Sequence, residues 1–386
     1  MTRNRYLVVS AAALVALAVS GPAAVPGTAV AAPRPAVPAS GVEQLRLPAP
    51  TGEFAVGRED LHLVDTSRAD PWAQTPGPRE LMLSVHYPAR KGTGSPSPYL
   101  RTGEAQLLVE GIRRADEFPA RLLAGTRTNS RMNARPVPGR HPLVLLSPGY
   151  GLHRATVTLL AEELASRGHV VAAVDHAYES FGTEFPGGRT LTPAGAPSAE
   201  VVPVRAADAS FVLDRLLDRL LDRGSRFARH VDRRRIGMAG HSVGGNSAAA
   251  AMARDPRIKA GANLDGAFSD AAPGAGLTGR PFLLLGTDAT HRPGGKGRWD
   301  QAWAAMDGWK RWLTVAGTGH FSFCDVPVLG GQTGVVDPAA ELPGARSGEI
   351  TRTYVAAFFD RHLKGEREPL LDGPSGVNPE VSFHAP

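Results

Sequence analysis

Apolar and polar positions alternate along this chain in two rhythms, one of strands and one of helices. Residues 54–64 and 80–87 form strand-like runs, the second closed by Pro88. No helical stretch separates them, so they predict an antiparallel pair. Residues 98–126 switch to helical spacing, with Leu107, Leu108, Ile112 and Leu122 able to share a face. Pro119 predicts a break within that stretch.

From residue 141 onward the pattern is regular. Short apolar runs at 141–146, 170–174, 236–239, 258–264, 281–285 and 312–316 read as strands. Helical stretches are predicted up to Arg167, at 242–254, around 301–309 and at 350–363. Gly168 ends the first of these. The clearest helix follows a Gly- and Pro-rich loop at 176–203. On it Val212, Leu213, Leu216, Leu217, Leu220 and Leu221 line one face. Arg215–Asp218 and Arg219–Asp222 stand at i,i+3 on the other, a solvated face. Strands alternating with helices predict an α/β fold: a mostly parallel, doubly wound sheet with an antiparallel N-terminal strand pair. His169 falls at the amino end of its strand, away from the carboxyl ends where such sheets bind ligands.

Composition narrows the classes. The chain has 386 residues, 42% hydrophobic and 21% charged, which predicts a globular protein with a sizeable core. The net charge is +6, but the arginines are scattered among acids and the densest basic run is Arg233-Arg234-Arg235. That run reads as a solvated loop before a strand, and no nucleic-acid partner is expected. At the N-terminus, Arg3 and Arg5 precede an apolar run at 6–19 and then Ala29-Val30-Ala31. A basic region, a short apolar region and an A-x-A site predict a secretory signal peptide over residues 1–31 and an extracellular protein. The run is shorter than the roughly 20 residues that span a bilayer. Residues 32–50 read as a Pro/Ala-rich linker and residues 51–386 as the folded domain. Cys324 is the only cysteine, which excludes an internal disulfide and a Cys-type metal site. H-E-x-x-H, Walker-type and EF-hand patterns are absent, so neither metal nor cofactor is expected.

Candidate chemistry centres on Gly240-His241-Ser242-Val243-Gly244, a G-x-S-x-G nucleophile elbow. Such a short motif arises readily by chance in a chain with 44 glycines, so its setting matters. It follows a short apolar strand and opens an Ala-rich helix, the strand-turn-helix context that an elbow requires. A serine hydroxyl is a poor nucleophile near pH 7 and needs a base. In the α/β-hydrolase fold that goes with this motif, the order along the chain is Ser, acid, His. His320, in Gly317-Thr318-Gly319-His320 after a strand, fits the base. His291 follows an earlier strand, and His362 and His384 lie in the last helix and tail. Two acids stand at carboxyl ends of strands. Asp265 sits in the tight turn Asn263-Leu264-Asp265-Gly266, and Asp288 lies beside Thr287, Ala289 and Thr290 before a Gly-rich loop. The turn favours Asp265, because the acid must be buried and firmly held. The oxyanion needs two backbone N–H groups. Val243, after the nucleophile, and Tyr150, in Ser147-Pro148-Gly149-Tyr150-Gly151, are the candidates. Pro148 has no N–H to offer.

Several segments together resemble the secreted platelet-activating factor acetylhydrolase family of isoform II type. They are Pro142-Leu143-Val144 leading to Gly149-Tyr150-Gly151, the stretch from Leu164 to His176, Gly240 to Gly245, Asn263 to Gly266, and Gly317 to His320. Asp70-Pro71-Trp72 and Tyr87-Pro88-Ala89 look like that family's bacterial members. The resemblance spans about residues 52–365. It implies an α/β-hydrolase fold and calcium-independent removal of short acyl groups from phospholipids, with transient contact to a lipid surface. It also implies an acid in the Leu-Asp-x segment, at Asp265. The chain departs from the animal members at Pro148, where they carry His. Polyester hydrolases and cutinase-like lipases resemble it at the elbow and around Tyr150, but place their acid where Asp288 stands. A secreted binding protein that keeps the fold without turnover is a third reading, and the complete Ser, Asp and His set speaks against it.

Overall fold

Continuous apolar runs such as Leu143 to Leu146 suit strands covered on both faces. In a computed structural model of the chain they lie at the centre of one large sheet. The structure describes residues 43–115, 117–196, 198–217, 229–269 and 275–386. The expected signal peptide and most of the expected linker fall outside these residues, as do Asp218, Leu220, Leu221 and the Arg219–Asp222 pair.

Among the described residues the strands are β1 (Ala55–Ala69), β2 (Pro78–Ala89), β3 (Ser95–Pro98), β4 (Arg127–Met132), β5 (His141–Ser147), β6 (Val170–His176), β7 (Thr183–Glu184), β8 (Thr190–Leu191), β9 (Val231–His241), β10 (Ile258–Leu264), β11 (Phe282–Thr287), β12 (Lys310–Val315) and β13 (Val381–His384). Eleven of them form one sheet in the order β13-β12-β11-β10-β9-β5-β6-β2-β1-β4-β3, and β7 and β8 form a separate ribbon. From β6 to β12 the pairing is parallel. β1 and β2 are antiparallel to each other and attach to β6, giving the expected N-terminal pair.

Side-chain alternation in the central strands divides the core. Leu143, Leu145, Ile236, Met238 and Leu284 point into one cluster with the helices Ser198–Leu217 and Val243–Arg254. Val144, Leu146, Ala239, Ala262 and Leu285 point into the other, against the helices Thr158–Ser166 and Gly344–Phe359. A period of two thus buries both faces of the same apolar run. The strand order reverses at β5, since the chain passes from β5 outward to β6 and returns to β9 on its other side. A crevice at the carboxyl ends of β5 and β9 follows from that reversal.

Four expectations need correction. Pro88 does not close β2, which runs on to Ala89. β6 pairs only as far as His86, so Pro88 sits where that side of the ladder has ended. The loop expected at 176–203 is shorter: its helix begins at Ser198 with Pro203 inside, held by the buried Val201 and Val202. The last helix starts at Gly344, not at Ile350, and passes through a π-turn to Lys364. The region 98–126 does divide as expected, into the helices Thr102–Gly111 and Ala120–Ala124 with Pro119 at the break. The packed unit also reaches back before residue 51, because Leu45 and Leu47 are buried against the helix Thr102–Gly111 and its neighbours.

Candidate active site

β9 ends at His241, and the helix Val243–Arg254 begins two residues later. Ser242 alone makes the turn, at φ 57° and ψ −125°. A non-glycine residue there stores strain of about 1–3 kcal/mol, and persists only where its surroundings over-determine it. They do so by close approach. A Cβ on Gly244 would lie 2.1 Å from the Ser147 carbonyl oxygen, and one on Gly240 would lie 2.3 Å from the Gly244 carbonyl carbon. The Ser242 N–H donates to the Leu264 carbonyl at 2.8 Å, tying the turn to the end of β10.

Three side chains from three strand ends meet here. Ser242 Oγ lies 2.9 Å from His320 Nε2, and His320 Nδ1 lies 2.6 Å from Asp265 Oδ2. His320 opens a short 3₁₀ turn, His320–Phe323, after β12, and its side chain is 47% exposed. Asp265 follows β10 and is 2% exposed, with φ 57°. Burial alone would raise its carboxyl pKa, but hydrogen bonds from His291 and His320 outweigh that and hold it at about 2. It is therefore a carboxylate at neutral pH, able to orient the imidazole and stabilise an imidazolium.

The loop after β5 packs on the elbow. Arg205 Nη1 donates to the Pro148 carbonyl at 2.5 Å and to Ser147 Oγ at 3.0 Å. Gly151 N–H donates to the Glu179 carbonyl, and the Gly151 carbonyl accepts from Phe181 N–H. Tyr150 and Val243 N–H donate to no backbone carbonyl among the described residues. Val243 is the first helical residue, so its N–H has no intrahelical acceptor to reach.

Asp288 lies elsewhere. Its Oδ1 accepts from Thr314 Oγ1 at 3.0 Å, while His320 turns to Asp265. His169 is buried against Asp360, as its place at a strand's amino end suggested.

Three contributors escaped the sequence reading. His241 lies beneath His320 with ring centroids 4.7 Å apart, and its Nε2–H donates to the His320 carbonyl at 2.8 Å. Burial first, and then the nearby His320, push its pKa down to about 3, so it stays neutral. His291 is the second imidazole on Asp265, at 2.8 Å from Oδ1. The third is a buried ionic network reaching the loop after β5. Arg79 joins Asp70, Glu179 and Asp208, Arg205 joins Glu179, and His176 bridges Asp208 to Ser147 Oγ. A signal for it exists: Val201, Arg205, Asp208 and Val212 recur at helical spacing, which puts two charges on the buried stripe.

A mostly apolar cavity of about 170 Å³ lies beside Phe321, lined also by Arg114, Phe118, Val326 and Val336. Among the described residues, the one acidic grouping tight enough for a cation is Asp360, Glu366 and Glu368. Asp360 is already engaged by Arg167, His169 and Lys364, and none of the three touches Ser242, Asp265 or His320.

The sheet order, the strained serine at a strand-to-helix turn and the convergent histidine and acid define an α/β-hydrolase. Comparisons with known proteins agree. The family model for platelet-activating factor acetylhydrolase, isoform II, matches residues 39–185. A probable 1-alkyl-2-acetylglycerophosphocholine esterase of Arthroderma benhamiae is 32% identical, over 87% of this chain and 93% of that protein. Platelet-activating factor acetylhydrolase of the dog, Canis lupus familiaris, is 22% identical over 84% of this chain and 79% of that protein. A ferulic acid esterase structure from Streptomyces cinnamoneus superposes with a TM-score of 0.78 at 42% identity, covering 88% of this chain and 99% of that one. The chain belongs to the platelet-activating factor acetylhydrolase, isoform II, family and is a carboxylic ester hydrolase.

Proposed function

We propose that Ser242, His320 and Asp265 act as the catalytic triad of this hydrolase, with the N–H groups of Tyr150 and Val243 as its oxyanion donors. His320 Nε2 takes the hydroxyl proton as Ser242 Oγ attacks the ester carbonyl carbon. Charge then develops on the carbonyl oxygen, where two backbone donors stabilise it. On collapse His320 returns the proton to the departing alkoxide, leaving an acyl group on Ser242. Water, activated by the same imidazole, releases the carboxylic acid. The carrying observation is the unbroken contact from Ser242 Oγ through His320 to Asp265, made from a serine in strained backbone.

The substrates are short-acyl esters, including phospholipids with a short sn-2 acyl group. The relative from Arthroderma benhamiae supports this, and the apolar cavity beside Phe321, the residue after His320, offers room for an apolar part of such a substrate. The 42% identity to a ferulic acid esterase favours a second reading, esters of hydroxycinnamic acids. A hydrolysis panel separates them: p-nitrophenyl esters from C2 to C16, an sn-2 acetyl phospholipid, methyl ferulate and a polyester film. The first reading expects the highest kcat/KM on the acetyl esters. Preference for methyl ferulate moves the chain to the second, and preference for the film moves it to a polyester hydrolase.

Secretion is part of the proposal, resting on Arg3, Arg5, the apolar run and Ala29-Val30-Ala31. Among the described residues no helix is long and apolar enough to cross a membrane. Exposed Tyr150, Phe321 and Val336 suit brief contact with a lipid surface. Protein recovered from culture medium should begin at Ala32; an intact Met1 there contradicts the cleavage.

A further inference from the structure

His291 holds the acid rather than the substrate. Its Nδ1–H donates to Asp265 Oδ1 at 2.8 Å, and the Thr287 N–H donates to the same oxygen at 2.7 Å. Both donors come from the end of β11 and the turn after it. Among the described residues, Oδ2 is thereby left to His320 alone. A carboxylate gripped only by His320 would be free to turn about its Cβ–Cγ bond. Two donors on the opposite oxygen remove that freedom.

The histidine is itself firmly held. Its side chain is 7% exposed, against 47% for His320. Its ring lies on Trp299 with centroids 4.3 Å apart at 30°. The Trp312 indole N–H donates to the His291 carbonyl at 2.6 Å, and the Trp299 indole N–H donates to the Gly266 carbonyl at 2.8 Å. Trp299 therefore braces both His291 and the turn that carries Asp265. Asp265 needs such bracing, since its backbone sits at φ 57° without being glycine.

We infer that His291 is a positioning residue for ester hydrolysis, acting through Asp265 by donating its Nδ1–H to Oδ1. This rests on the triad assignment, with Asp265 as the acid. The role requires a donor at one point in space, whereas a packing role requires a ring on Trp299. Two substitutions separate these. His291→Phe keeps a ring and removes the donor. His291→Asn removes the ring and places an amide N–H close to where Nδ1–H stood.

Steady-state kinetics on p-nitrophenyl acetate, with melting temperatures recorded alongside, test the inference. His291→Phe should lower kcat by about 10- to 100-fold with little change in KM, the scale of a misplaced catalytic group. His291→Asn should restore most of that kcat while melting lower than His291→Phe. Wild-type kcat in His291→Phe, or a kcat in His291→Asn no better than in His291→Phe, overturns the inference. Asp265→Asn is assayed in parallel. If it is inactive while His291→Phe is fully active, the triad assignment stands and this inference alone fails. If Asp265→Asn is fully active, the triad assignment itself fails.

Discussion

Asp265 Oδ2 lies 2.6 Å from His320 Nδ1, and the carboxylate reaches it from a buried, left-handed backbone position. Asp288, at the end of the next strand, bonds Thr314 instead. Losing a triad acid leaves the serine and histidine in place with the imidazole wrongly held. In the best-studied triad this costs about 10⁴-fold in kcat, roughly 5 kcal/mol. Asp265→Asn should therefore nearly abolish ester hydrolysis, and Asp288→Asn should lose no more than a few-fold. The check is kcat on p-nitrophenyl acetate with circular dichroism of both variants. The reverse ranking contradicts the assignment.

Arg205 links the fold's buried charges to the loop that carries Tyr150. It is 1% exposed and bonds Glu179, Ser147 and Pro148. Breaking a buried pair from one side typically costs about 3–5 kcal/mol, because the remaining charge loses its partner. Arg205→Met should lower the free energy of unfolding in urea by that amount. It should also lower kcat, since the Pro148 carbonyl is released. Unchanged stability would mean that Arg79 alone satisfies Glu179.

Acid should unfold the protein through particular carboxylates. Burial raises the pKa of Asp60, Asp265 and Asp360, but their partners outweigh it and hold each at about 2, below the ordinary 3.8. The partners are Arg58 and Arg154 for Asp60, His291 and His320 for Asp265, and His169 and Lys364 for Asp360. A depressed folded-state pKa gives stability that is present above the unfolded value and lost as pH falls through the folded one. The melting temperature should therefore fall between about pH 4 and pH 2. Calorimetry across that range checks it, and a flat profile contradicts it.

Every charge in the proposed reaction is met by backbone N–H groups, an imidazole and a carboxylate. Hydrolysis should accordingly survive EDTA at full rate. A loss that added Ca²⁺ or Zn²⁺ restores would overturn the metal-free mechanism.

Sequence pattern revealed the central strands because they are buried on both faces, which leaves unbroken apolar runs such as residues 170–174. It did not reveal β4, whose residues Arg127–Met132 are mostly polar and pair near the sheet's edge, nor β13, four residues of the tail. The elbow, His320 and the tight turn at Asp265 were legible because each needs a local motif. His291 and Arg205 were not. Their significance lies in contacts across long stretches of chain, 26 residues to Asp265 and 57 to Pro148, which no local spacing encodes. His241 was visible as the second residue of the elbow, but its packing beneath His320 appears only once β9 and the turn after β12 are brought together.

An acyl-enzyme on Ser242 is what the proposed chemistry requires, and covalent labelling reads that serine's reactivity. The protein is incubated with a fluorophosphonate, and the adduct is located by mass spectrometry of its peptides. One adduct per chain is expected, on Ser242, absent in Ser242→Ala and formed far more slowly in His320→Ala. No adduct, or an adduct on another residue while Ser242→Ala still hydrolyses p-nitrophenyl acetate, would contradict it.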